Sequence, residues 1–235
     1  MAESAPRLYL IISQEVCGSV PLLQAARRVL EAYAGLGLPP GTLAVQLREK
    51  HLSAAALLGL AHPLHALTQS CRVPLFINDR LDVALAVGAE GVHLGERSLP
   101  LEDAVRVAPS LAFAISTHAP LELSAAASLR SGGSAPQLVF GLFGPVYDTP
   151  SKRVFGPPQG IGRLREATAA AGDLPVLALG GIDADPARRA DVLAAGARGI
   201  ACMRAVWASP DPAAALKAML SVPDPGRAGA EAGPR

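Results

Sequence analysis

Cysteine is scarce in this sequence. Cys17, Cys71 and Cys202 are the three present, far apart and with no C-x-x-C pair. An odd, scattered set reads as reduced thiols and excludes a disulfide framework or a cysteine-based zinc site. Charge is scarce too: 17% of residues are charged and the formal net charge is +1. That balance gives no bulk attraction to nucleic acid or to an acidic membrane surface, so any anion must be held by a local arrangement. No apolar run approaches the roughly 20 residues of a membrane-spanning helix. The opening MAESAPR lacks the charged-then-apolar order of a secretory signal. The expectation is a cytoplasmic protein with no nucleic-acid and no membrane partner. The oligomeric state stays open, a homo-oligomer included.

What the chain has in quantity is apolar residues, 50% of 235. That is ample for a large core, and the length suits one barrel domain of about 250 residues. Short apolar runs alternate with longer Ala/Leu-rich segments. The expected strands are Leu8–Ile12, Leu43–Leu47, Pro74–Ile77, Gly91–Leu94, Ala112–Ser116, Leu138–Gly141, Val176–Leu179 and Gly199–Cys202. Helical spacing falls between them, over Leu22–Tyr33, Ala54–Ala66, Leu81–Val87, Leu121–Leu129, Ile161–Ala170, Ala187–Ala195 and Ala213–Leu220. Alternation of this kind implies parallel strands, and about eight units favour an α/β fold closed as a single-domain (β/α)8 TIM barrel. Gly88 and Gly196, in AVGAEGVHL and AAGARGIACM, stand where left-handed helix caps are expected. The likeness of these two strings hints at an old repeat of one unit. Residues 1–220 read as the barrel. Residues 221–235, rich in Pro, Gly and charge, read as a disordered tail.

Chemistry in such barrels sits at the C-terminal strand ends. In VQLREK, alternation sets Gln46 and Arg48 on one face with Lys50 just beyond, a gathering of positive charge suited to phosphate, or else an ordinary solvated loop. In INDR, Asn78 and Asp79 follow the third strand. Asp79 suits a Mg²⁺ ligand, and the alternative is that one of the two caps the next helix. In VHLGERS, His93 reads as a packed core histidine and Glu96 is the carboxylate at that strand end. In ISTH, Ser116, Thr117 and His118 cluster where the chain leaves the barrel: a hydroxyl there can bind phosphate, and His118 is either an acid/base group or a loop histidine. The long FGPVYDTPSKRVFGPPQG segment carries Thr149, Ser151 and Lys152 and reads as a binding loop, the alternative being a solvated surface loop. In LGGI and GIACMR, the backbone of Gly180, Gly181, Met203 and Arg204 matches the recurring phosphate cradle of these barrels, with a helix start expected after the eighth strand.

Taken in order, VQLREK, INDRLDVALAVGAEGVHLG, ISTH, FGPVYDTPSK, PVLALGGI and GIACM resemble the thiamine phosphate synthase family, over Leu8 to about Leu220. The thiazole tautomerases share much of this pattern. The resemblance implies joining of hydroxymethylpyrimidine diphosphate to thiazole phosphate, with Mg²⁺ and release of diphosphate through a dissociative step. It assigns Gln46, Arg48, Lys50 and Asn78 to the pyrimidine diphosphate and Asp79 to Mg²⁺. Ser116 and Lys152 fall to the diphosphate, and Thr149, Gly181 and the backbone at Met203 to the thiazole phosphate. Lys152, Arg48 and Lys50 are thereby implied as catalytic cations. Three departures stand out: Ser98 where a second magnesium-binding aspartate is usual, Ser13 where an acidic residue is common, and Arg204 where a small residue is usual. Glu96 is the nearest carboxylate to replace the missing aspartate. These departures keep two alternatives in view. One is a tautomerase aromatising thiazole carboxylate phosphate with His118 as acid/base. The other is a non-catalytic barrel that binds a thiamine precursor.

Overall fold

Each of the eight apolar runs forms a strand, and each strand pairs in parallel with the next until the last returns to the first. The computed structural model describes residues 5–148, 157–182 and 185–221. In chain order the elements are β1 (Leu8–Ile12), α1 (Gln14–Cys17), α2 (Leu22–Ala34), β2 (Leu43–Leu47), α3 (Ala54–Ser70), β3 (Leu75–Asn78), α4 (Leu81–Val87), β4 (Gly91–Leu94) and α5 (Leu101–Val107). They continue as β5 (Ala112–Thr117), α6 (Pro120–Ser131), β6 (Leu138–Phe143), α7 (Gly160–Ala170), β7 (Val176–Leu179), α8 (Pro186–Ala194), β8 (Gly199–Cys202) and α9 (Pro212–Leu220). Registers such as Leu8↔Leu43 and Leu8↔Ile200 close the single-domain (β/α)8 barrel.

The strands read as unbroken apolar runs because both faces are covered. One face packs outward against the helices, in a large layer that includes Leu10, Val45, Leu75 and Ile200. The other fills the barrel with Tyr9, Phe76, Phe140, Leu177 and small residues such as Ala44, Ala114 and Ala201. Tyr9, Phe76 and Phe140 meet edge to face with centroids 5.0–5.7 Å apart, an aromatic plug under the mouth. The plug fixes Gly91: a Cβ there would lie 2.5 Å from the Phe76 ring and 2.6 Å from the Ala112 carbonyl. Gly91→Ala is therefore expected to destabilise the fold by about 1–3 kcal/mol through overpacking. The check is a lower urea midpoint with an unchanged m-value.

Helix boundaries differ from expectation where local chemistry intervenes. The third helix runs past Ala66 to Ser70, through Pro63, because Leu57, Ala61, Leu64, His65 and Thr68 all bury along it; Ser53 caps its start by accepting from the Ala56 N–H. Two helices were not anticipated: α1, a single turn capped by Ser13, and α5, whose first turn carries Glu102 and Asp103 and whose last carries Arg106. That charge order complements the helix dipole and was a readable signal. Gly88 takes the left-handed cap expected of it, and Gly196 also has positive φ. Ser221 caps α9; residues 222–235, read as a disordered tail, lie outside the described residues. Among the described residues, no helix is long and apolar enough to cross a membrane.

Candidate active site

At the mouth, the aromatic plug gives way to a polar layer on the β2–β5 side. Gln46, 1% exposed, donates from Nε2 to Asn78 Oδ1 at 3.1 Å. This bond occupies the Asn78 acceptor and leaves its amide hydrogens to be donated elsewhere. Asp79 follows with φ +66°, left-handed backbone, and donates its N–H to the His93 carbonyl at 2.9 Å. The cap of α4 is Arg80, and no side chain bonds there. The helix-capping alternative for Asn78 and Asp79 therefore fails: the exposed Asp79 carboxylate is not committed to the helix.

Arg48 follows directly on β2, two positions after Gln46. Its N–H donates to the Ile12 carbonyl at 2.9 Å, tying the ends of β1 and β2. Partial burial pulls the guanidinium pKa below its ordinary value, while the Glu15 carboxylate pushes the other way. The group remains charged near neutral pH. Lys50 is exposed in the loop beyond. His93 is buried, and its pKa falls to about 3, first through burial and then through the Arg48 charge. Its Nε2 lies 2.8 Å from Ser116 Oγ and its Nδ1 lies 3.3 Å from Tyr9 Oη.

The opposite side of the mouth is built from backbone. Gly180 and Gly181 have φ of +105° and +66°. A Cβ on Gly180 would meet Pro145 at 2.8 Å, and one on Gly181 would meet Tyr147 at 2.8 Å. The start of the β6 loop lies against them, with the Val146 N–H bonded to the Leu179 carbonyl and the Tyr147 N–H to the Gly180 carbonyl. Arg188 of α8 locks the corner: Nη1 donates to the Gly181 carbonyl at 2.7 Å, and the guanidinium sits 4.7 Å above the Tyr147 ring. After β8 comes a single turn rather than an immediate helix, closed by the Ala208 N–H on the Arg204 carbonyl. Such a turn still leaves its leading N–H groups, near Met203 and Arg204, outside helical bonding. The Arg204 side chain reaches away to Glu15, 3.1 Å distant on the exposed rim. Trp207 Nε1–H donates to the Ile11 carbonyl at 2.9 Å and fixes this turn to β1.

His118 Nδ1 lies 2.6 Å from the Gly144 carbonyl. A carbonyl only accepts, so Nδ1 carries the hydrogen and Nε2 of the neutral ring holds the free lone pair. Thr149, Ser151 and Lys152 lie outside the described residues. Glu96 is exposed beside a tight turn in which Ser98 Oγ accepts from the Gly95 N–H at 2.8 Å. Ser98 thus shapes its loop. No group of three His, Cys, Asp or Glu side chains that could hold a metal occurs among the described residues. Two residues that sequence reasoning passed over bear on this site: Tyr9, in the plug beneath the mouth two positions before inward-facing Ile11, and Arg188, which no motif marks.

Cationic and amide donors on one side and a glycine-lined corner on the other define a phosphate-handling (β/α)8 barrel. The profile of the family described as thiamine monophosphate synthase matches residues 8–206. A thiamine-phosphate synthase homologue from Geobacter sulfurreducens is 42% identical over 96% of this chain and 98% of its own length. The thiamine-phosphate synthase of Roseiflexus castenholzii is 37% identical over 92% and 87%. Among solved structures, thiamine phosphate pyrophosphorylase from Pyrococcus furiosus superposes with a TM-score of 0.73 at 28% identity, covering 92% of this chain and 94% of that one. The chain belongs to the thiamine monophosphate synthase family.

Proposed function

We propose that this chain joins hydroxymethylpyrimidine diphosphate to thiazole phosphate, forming thiamine phosphate and releasing diphosphate in the cytoplasm. The family membership and one observation carry this reading: the amide, cationic and hydroxyl groups at the ends of β2, β3 and β5 share a rim with the glycine corner of β7 and the turn after β8. Two phosphorylated substrates need two anion sites facing each other across a short gap.

In this reading the C–O bond between the pyrimidine methylene and the diphosphate breaks first, its electron pair leaving with oxygen. The thiazole nitrogen lone pair then forms the new C–N bond. Arg48, Lys50 and Ser116, with Lys152, gather the negative charge as it leaves, so the barrier falls where charge develops. Gln46 and Asn78 orient the pyrimidine end. The backbone at Gly180, Gly181, Met203 and Arg204, with Thr149, holds the thiazole phosphate. A Mg²⁺ site would ask the protein for one or two carboxylates. The exposed, uncapped Asp79 carboxylate fits that demand, with Glu96 from the next loop as second donor. When bound, the ion would neutralise diphosphate charge. The three cysteines, none of them in a disulfide and Cys17 pushed up to about 11 mainly by burial, suit a reducing compartment.

One observation favours a second reading. The free Nε2 of His118 is the lone pair that a thiazole tautomerase would use to move a proton. Incubating the protein with pyrimidine diphosphate, thiazole carboxylate phosphate and Mg²⁺ separates the two. Coupled product supports synthase activity, whereas aromatised thiazole without coupling overturns it in favour of the tautomerase. Turnover of neither would leave a non-catalytic binding barrel.

Arg188 gives a finer test of the phosphate corner. Arg188→Gln removes the guanidinium that anchors the Gly181 carbonyl and lets the turn loosen. The expected result is a KM for thiazole phosphate raised about tenfold, with kcat within about twofold, as befits lost uniform binding. Steady-state kinetics with each substrate varied in turn will show it.

A further inference from the structure

Tyr9, His93 and Ser116 come from β1, β4 and β5 and meet inside the barrel just below the mouth. The Tyr9 and His93 rings are near parallel, at 26° with centroids 5.7 Å apart. Tyr9 is fully buried, and among the described residues its hydroxyl has one hydrogen-bond partner, His93 Nδ1 at 3.3 Å. His93 is 2% exposed, and its second nitrogen faces Ser116 Oγ at 2.8 Å. No carboxylate bonds to the ring among the described residues.

Hydrogen counting then fixes every direction. A buried phenol must donate its single hydrogen, because a buried donor left without an acceptor is costly. Nδ1 is the acceptor available, so Nδ1 carries no hydrogen. A neutral imidazole has one N–H, which therefore sits on Nε2 and donates to Ser116 Oγ. The serine oxygen is occupied as an acceptor, and its own hydrogen is left to donate. The reverse arrangement would strand the phenol hydrogen and turn Ser116 toward His93.

We propose that Tyr9 and His93 are positioning residues that lock Ser116 as a hydrogen-bond donor toward the anionic ligand at the barrel mouth. This deepens the proposed function and rests on it only for the identity of that ligand. Neither residue touches the anion; both act through the serine hydroxyl. A preset donor needs no reorientation when charge develops on the leaving oxygen, whereas a free hydroxyl rotor does.

Two measurements on the full chain test this, and neither requires turnover. Nitrogen NMR of histidine-labelled protein at neutral pH should show His93 with a bare Nδ1 and a protonated Nε2. The opposite tautomer, or a protonated ring, overturns the proposal. Binding of inorganic diphosphate with Mg²⁺ by calorimetry then reads the coupling in a double-mutant cycle. Tyr9→Phe should weaken binding about tenfold beside Ser116, yet less than about twofold in a Ser116→Ala background. Equal losses in both backgrounds would mean that Tyr9 serves packing alone, and no loss in either would also sink the idea. His93→Gln, which keeps both an N–H donor and an acceptor at its end, should bind more tightly than His93→Leu. If the native chain binds diphosphate with this coupling but joins no substrates, the synthase reading fails and the positioning role stands.

Discussion

Replacing Arg48 with alanine is expected to lower kcat/KM for the coupling reaction about a thousandfold, the scale set by removing one preorganised charge donor from a water-poor site. The side chain has already given up part of its hydration, which is why its pKa is pulled down. A partly dehydrated cation interacts more strongly with an arriving diphosphate than a solvated one does. Glu15 is its counter-charge at rest, so the ligand competes with a weak partner. Stability should move by no more than about 0.5 kcal/mol, because deleting the cation removes a desolvation penalty along with that attraction. Arg48→Lys should recover part of the loss, since an ammonium restores charge without the planar fork. A kcat/KM within fivefold of the native value in the alanine variant would remove Arg48 from the diphosphate site.

The second large effect separates activity from stability at Asp79. Its φ of +66° is a conformation that glycine adopts freely and side chains do not. Asp79→Gly should keep the turn, and the Asp79–His93 backbone bond, within about 1 kcal/mol of native stability. Asp79→Ala keeps the strain without the short polar side chain that eases it, and should unfold about 1 kcal/mol sooner than the glycine variant. Both lose the carboxylate. Diphosphate release should therefore fall at least about a hundredfold in each, with the Mg²⁺ dependence weakened alike. Activity that followed stability, with the glycine variant near native, would show that Asp79 serves only the turn.

The barrel was legible because parallel strands buried on both faces leave continuous apolar runs such as LYLII and LAVQL. Gly88 was legible because its cap has a fixed chemistry. Helix ends were less so: Pro63 reads as a stop, yet buried side chains on both sides of it carry the helix to Ser70. At the proposed site, runs of polar residues at strand ends are what mark Gln46, Arg48, Asn78 and Asp79 as candidates. Tyr9, His93 and Ser116 stayed hidden as a group, because their residues are 84 and 23 positions apart and only barrel register brings them together. Arg188 was invisible for another reason: its partner is the carbonyl of Gly181, and main-chain acceptors leave no trace in side-chain pattern. The cap alternative at Asp79 failed because a left-handed residue turns the chain before the helix begins.

Trp207 is the sole tryptophan in the sequence, and its indole is hitched to the end of the first strand beside the seam where the sheet closes on itself. The chain thereby contains its own optical gauge. Ultraviolet emission from this one ring, sheltered from solvent a few residues from the proposed phosphate corner, gives a label-free way to watch that seam tighten or open.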